Sequence, residues 1–265
     1  MKEVVALVLG LTLFQMPCLA QLFGTIDAIS GNVSVTAIDG SSVPATLGQK
    51  IYKGQTIVTL ADAEAHAVTE DGGMIAVRPN SSVQVLQFRA EAGSDGLLDL
   101  TLIRGALRSI TGWIGKRNPS GYRIVTPTAT VGIRGTDHET TVIDRDMGRD
   151  RSGTFDSVFE GATVLRSERG EVNINAGQHG FAPKEGAQVP QLLEQPPEFV
   201  ANRSLRMEDR IKDRKEVLIQ RVQQWIDEHP RRAADLVDRL DNATDEQRDA
   251  AKRALRRKLQ QRRAN

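Results

Sequence analysis

His66-Ala67-Val68-Thr69-Glu70-Asp71-Gly72-Gly73-Met74-Ile75-Ala76-Val77-Arg78 decides the fold class. Two β-rich runs flank Asp71-Gly72-Gly73, and glycine accepts the positive φ that a tight turn demands. The stretch reads as a hairpin, and the same pattern repeats on both sides of it. Upstream, Val33 and Val35 alternate onto one face, and Thr56-Ile57-Val58-Thr59-Leu60 forms another run. Downstream, Ser82 to Phe88 alternates, with Val83, Val85 and Gln87 in the opposite register from Gln84, Leu86 and Phe88. Leu98, Leu100 and Leu102 share a face, and Arg104-Gly105 closes that run. Helical periodicity is absent here. Regular short runs at this spacing predict an all-β domain, either a β-sandwich or jelly roll or a short β-solenoid.

Residues 144–157 are polar and charged and read as an exposed hairpin tip, with strands resuming at Ser157, Ala162 and Glu171. Pro183 to Pro197 has no periodicity and reads as part of a linker. Beyond it the pattern changes to helix. Ile211, Lys215, Leu218, Val222, Trp225 and Ile226 make one stripe, and Pro230 stops it. Ala233 to Leu240 gives a second stripe, and the capping box Thr244-Asp245-Glu246-Gln247 opens a third. Such narrow stripes suit a helical hairpin or coiled-coil arm. Charge divides at the same place. Residues 21–200 hold 16 Lys+Arg against 21 Asp+Glu, a net of −5, and residues 201–265 hold 18 against 12, a net of +6. The expected organisation is a signal peptide (1–20), a β domain (21–182), a proline-rich linker (183–200) and a charged helical tail (201–265).

The signal peptide is expected from Lys2, the apolar run Val4 to Phe14, Pro17, and small residues at Cys18 and Ala20. The run is shorter than the roughly 20 residues that span a bilayer. Cleavage after Ala20 removes the only cysteine, so the remaining chain has no thiol for a disulfide or a metal. The expected location is periplasmic or secreted.

No catalytic pattern emerges. A nucleophile elbow and a phosphate loop are both missing from the sequence. Asp137-His138-Glu139 is the one polar triplet, but strand alternation sends Asp137 and Glu139 to one face and His138 to the other. His66, His138, His179 and His229 are too scattered for metal-ligand spacing. The expectation is a non-enzymatic protein without metal or cofactor. The basic end, with Arg253, Arg256, Arg257 and Lys258, is a candidate contact for an envelope protein partner or an anionic surface. Export and the lack of interleaved aromatics argue against nucleic acid. The oligomeric state is left open.

Four stations in order resemble the FecR-type domain, a periplasmic module named for a regulator of iron-citrate uptake. They are Leu47 to Thr59; Glu70-Asp71-Gly72-Gly73 through Pro79-Asn80-Ser81-Ser82; Leu100 to Arg108 around Gly105; and Thr126-Pro127-Thr128-Ala129-Thr130-Val131-Gly132-Ile133-Arg134-Gly135-Thr136. The resemblance spans residues 24–181. It marks Asp71, Gly72, Pro79, Gly105, Thr126, Pro127, Ala129, Gly132, Arg134, Gly135 and Thr136 as family motif residues. Their chemistry reads as structural. Pro127 fixes φ. Gly132 and Gly135 permit unusual backbone shapes. Arg134 can staple carbonyls with its fork of donors, and Thr136 starts the next strand. The competing role for Arg134 is to bind a carboxylate or sugar acid. The family's signalling regulators place a cytoplasmic helical domain and a membrane span before this module, where this chain has a signal peptide. The resemblance therefore implies a binding or scaffolding module. The alternatives are a carbohydrate- or peptidoglycan-binding protein using Arg134 and Trp113, and a signalling regulator acting through a membrane partner.

Overall fold

The computed structural model describes residues 21–90, 96–133, 135–185, 188–201, 207–213, 216 and 220. The expected signal peptide, Arg134, and Arg253, Arg256, Arg257 and Lys258 lie outside the described residues, as do the helical stripes beyond Ile211. The described strands, in chain order, are β1 (Leu22–Ser30), β2 (Val33–Thr36), β3 (Ser42–Pro44), β4 (Lys50–Tyr52), β5 (Thr56–Thr59), β6 (Glu64–Thr69), β7 (Met74–Val77), β8 (Ser82–Arg89), β9 (Leu97–Ile110), β10 (Tyr122–Val125), β11 (Thr130–Ile133), β12 (Asp137–Ile143), β13 (Gly153–Glu160), β14 (Ala162–Ser167), β15 (Gly170–Asn175), β16 (His179–Pro183) and β17 (Gln191–Leu193). Two short helices, α1 (Trp113–Arg117) and α2 (Glu198–Ala201), interrupt and follow them.

The strands form two sheets. Sheet A runs β4-β1-β6-β7-β9-β12-β13-β16-β17. Sheet B runs β3-β2-β5-β8-β9-β10-β11-β14-β15. Every pairing is antiparallel except β9 with β10. Inward side chains from both sheets make one core, including Phe23, Ile26, Ile75, Val77 and Leu107 from A and Val83, Val85, Leu100, Ile124 and Leu165 from B. Phe23 and Phe88 meet edge to face across it, with ring centroids 5.3 Å apart. This is the all-β domain expected from the strand pattern. The two layers face each other across that core.

β9 belongs to both sheets. Leu97 to Arg104 pairs with β8 in sheet B, and Gly105 to Ile110 pairs with β7 and β12 in sheet A. The expectation that Arg104-Gly105 closes the strand is corrected: the chain bends there and continues. Gly105 has φ +81°, and a Cβ would lie 2.2 Å from Ser81 Oγ and 2.6 Å from Ser81 Cα. Only glycine lets the backbone turn this corner so close to Ser81.

Three further expectations change. In β8, a register shift between Val85 and Gln87 breaks the alternation. Phe88 therefore joins Val83 and Val85 in the core at 2% exposure, while Leu86 turns outward at 43%. An extra bulge residue reverses side-chain parity, which a count by twos misses. Residues 153–157 are not an exposed tip; they begin the buried strand β13, held between β12 and β16. The segment read as a linker contributes β17, paired with β16.

Gly132 does not have the special backbone shape expected of it. It lies in extended strand β11, and the nearest atom to an added Cβ is 3.8 Å away. Gly135, at φ +69°, does have it. Gly105→Ala should accordingly lose about 2–4 kcal/mol in urea unfolding, whereas Gly132→Ala should change stability by less than about 1 kcal/mol.

Candidate functional site

Strand alternation puts Glu64 and His66 of β6, Met74 and Ala76 of β7, Arg78 just after it, Arg108 and Ile110 of β9, and Asp137 and Glu139 of β12 on the outer face of sheet A. Charges at alternate positions suggest a solvated face. All of these residues are nevertheless buried. A C-terminal segment, helical over residues 208–213, packs on this face at Arg78, Arg108, Met74, Ala76 and Ile110.

Arg78 is the centre of the network, with 1% exposure. Its Nη1 donates to Glu64 Oε1 at 2.8 Å and its Nε donates to Glu139 Oε2 at 3.0 Å. His66 Nε2 lies 2.8 Å from the same Glu64 oxygen. Burial opposes the charge on Glu64, but His66 and Arg78 outweigh it and hold the carboxyl below its usual range. Arg108 donates to Asp137 through two nitrogens, at 2.9 and 3.0 Å, a bidentate fork. Its guanidinium also stands 4.3 Å from the centre of the Phe159 ring. Burial works against the Arg108 charge, and Asp137 and Glu208 together raise its pKa regardless.

Glu208 joins the two arginines. One carboxylate oxygen accepts from Arg78 Nη2 at 3.2 Å and the other from Arg108 Nη1. Beside it, Ile211 is 1% exposed and packs with Met74, Ala76 and Ile110. Upstream, Asp150 clamps the same segment: its carboxylate accepts from the backbone N–H of Glu198 at 3.1 Å and of Phe199 at 3.0 Å. Phe199 then meets Phe155 edge to face, and Phe155 stacks on Phe181.

The triplet Asp137-His138-Glu139 divides as alternation requires. Asp137 and Glu139 serve the two arginines. His138 points into the core, where its Nδ1 lies 2.8 Å from Asp156 Oδ1, and Asp156 also accepts from Thr140 and Thr163.

The family motif residues do not converge on one site. Pro79, Gly105, Gly135 and Thr136 lie where the chain passes from one sheet to the other, Asp71 and Gly72 and Thr126 to Ala129 lie in turns within one sheet, and Gly132 lies in β11. After Pro79, Ser81 Oγ accepts from Ala106 N at 2.8 Å, which ties the β7–β8 crossing to the bend at Gly105. Thr126 Oγ1 accepts from Ala129 N at 2.9 Å and closes the turn over Pro127. Thr136 N donates to Thr111 Oγ1 at 2.8 Å, and Thr111 N donates to Thr136 O at 3.0 Å. Asp71 follows Thr69 in the β6–β7 turn before Gly72. Its side chain accepts from Ile114 N at 3.3 Å and its carbonyl from Trp113 N at 3.0 Å, so it anchors the start of α1. Burial pushes the Asp71 carboxyl up. Trp113 stands over Gly72 and is 38% exposed.

Residues 55–164 match the family model described as FecR protein. The match is shorter than the 24–181 stretch of resemblance. Among solved structures, a cell surface anchoring domain aligns at 26% identity over 24% of this chain and 84% of its own, with a TM-score of 0.24. Two structures of a candidate anti-sigma factor from Parabacteroides distasonis align at 11% identity over 55% of this chain, with TM-scores of 0.41 and 0.42. The chain spans 62% of the length of those two structures. No curated protein matches.

Removing Arg78 leaves buried carboxylates without their cation, so Arg78→Met should cost about 3–5 kcal/mol in urea unfolding. Arg166→Ala, which breaks an exposed pair with Glu171, should cost less than about 1 kcal/mol. Because Glu64 is held below its ordinary value of 4.5, its contribution to stability is full above that pH and is lost as pH falls through the lowered value. Glu64→Gln should flatten that part of the stability-versus-pH curve.

Proposed function

We propose that this FecR-domain chain is an exported, non-enzymatic binding or scaffolding module that holds an envelope protein partner. The outer face of sheet B, whose side chains stay half-buried or exposed among the described residues, carries this reading. One cross-strand row crosses it through Thr36, Thr56, Gln84, Thr101, Val125, Thr130, Arg166 and Glu171. Each of these side chains is half-buried or exposed. Beside the row, Leu86 and Ile103 are 43% and 46% exposed. A level face of hydroxyls, amides and a few apolar side chains suits a protein surface. Trp113 sits over Gly72 at the α1 corner and not on this face. The C-terminal segment packs on the outer face of sheet A, so the two faces have separate tasks. The basic tail, with Arg253, Arg256, Arg257 and Lys258, would add a second contact.

A signalling role through a membrane partner is the second reading, and the FecR match favours it. Deleting the gene should then change transcript levels in the host; unchanged transcripts would remove this reading.

Crosslinking and affinity capture from envelope extracts test the main reading. The full chain should recover a specific protein, and Thr101→Arg with Ile103→Asp on sheet B should abolish the capture while leaving the β circular dichroism signal intact. Capture that survives those changes would move the contact elsewhere.

A further inference from the structure

Glu208 is a late addition to an already balanced network. Within the sheet, Arg108 is held by Asp137, and Arg78 by Glu64 and Glu139. Both guanidiniums are paired before the C-terminal segment arrives. A fourth carboxylate is therefore selected by the spacing of the two arginines and not by net charge. A carboxylate bridging them gains two charge-assisted hydrogen bonds. Desolvation and its carboxylate neighbours offset much of that gain. The apolar part of the contact is small: Met207 and Ile211 are the segment's two buried hydrophobic side chains among the described residues. Glu208 itself keeps 22% side-chain exposure, so water reaches the junction. The contact is specific in geometry and modest in strength, as a displaceable contact must be.

We propose that Arg78 and Arg108, with Met74, Ala76 and Ile110, form a receptor seat for an acidic amphipathic helix. Met207-Glu208-Asp209-Arg210-Ile211 occupies the seat as a built-in stand-in. The displacing ligand is a helical segment of the envelope partner with the same pattern: an apolar residue, a glutamate directly after it, and a second apolar residue three positions later. Such a segment puts a carboxylate between the arginines and an aliphatic side chain on Met74, Ala76 and Ile110. Its binding lifts residues 207–213 off sheet A. Asp150 holds Glu198 and Phe199 upstream of the seat independently of this contact. This inference rests on the partner-binding reading and names a second surface for it.

The test uses the full chain and a fluorescent synthetic peptide of residues 203–216. In wild type the resident segment competes, and apparent affinity falls by the fraction of chains with an open seat. Glu208→Lys should open the seat and tighten peptide binding by about tenfold or more. Ile211→Asn opens it without adding a charge beside the arginines and should do the same, which guards against a folding defect in the first variant. The Glu208→Gln form of the peptide should bind either opened chain at least about tenfold more weakly, since a neutral amide forfeits the charge-assisted bonds. Equal peptide affinity in wild type and both opened variants overturns the latch, as does equal binding of the Glu and Gln peptides. If the peptide result fails while the sheet B capture succeeds, the latch falls and the binding-module reading stands. The reverse pair of results overturns the sheet B reading and leaves the seat in place.

Discussion

The bend at Gly105 is the constraint on which the rest of the molecule depends. A single strand, β9, lines both layers, and the position of each layer relative to the other is set where that strand turns. The turn is possible because residue 105 has no side chain to strike Ser81. Ser81 then bonds Ala106 across the corner, so the β7–β8 crossing and the bend of β9 fix each other. The buried arginines lie just beyond this point, Arg78 before the Pro79 crossing and Arg108 three residues after the bend. Their spacing, and so the ability of one carboxylate to reach both, follows from the geometry of the corner.

The strand content was legible because period-two alternation and turn glycines are local signals. Asp71-Gly72-Gly73 folds back as read, with β6 and β7 paired on either side. The errors arose where a non-local fact overrode a local one. The bulge beside Leu86 is set by the pairing of β8 with β9, and nothing in Ser82 to Phe88 alone announces it. Gly153–Glu160 begins with polar residues, but its neighbours on both sides are strands, and Phe155 finds Phe181 there. Arg104-Gly105 looks like a stop because glycine usually punctuates; here it redirects.

The charged face shows the same limit more sharply. Glu64, His66, Arg78, Arg108, Asp137 and Glu139 could each be assigned a face by counting. The pairing across β6, β7, β9 and β12 that brings them together, and the later segment that meets Arg78 and Arg108, come from distant parts of the chain. The one available hint was Ile211, an apolar position on a helical stripe next to Glu208. It needs an apolar counterpart, and Met74, Ala76 and Ile110 provide it. The described family motif residues, by contrast, lie mostly in turns and crossings, where their bonds are local or link neighbouring strands.

The stretch matched by the family model, 55–164, is a poor guide to where the folded unit begins and ends. Cut to that span, the chain would lose β1 and β4 on one side of sheet A and β16 and β17 on the other, and β2, β3 and β15 from sheet B. β6 and β13 would then become the margins of one layer, and β5 and a shortened β14 those of the other. Each would present a row of unpaired backbone donors and acceptors, flanked by apolar side chains, ready to join another molecule of the same kind. In the complete chain three of those four margins are strands of only three residues, β3, β4 and β17, and the fourth, β15, alternates with polar side chains. The outermost strands thus do two things at once: β4 and β15 give Ile51 and Ile174 to the core, and all four shield the sheets' longer strands from pairing with a neighbouring copy.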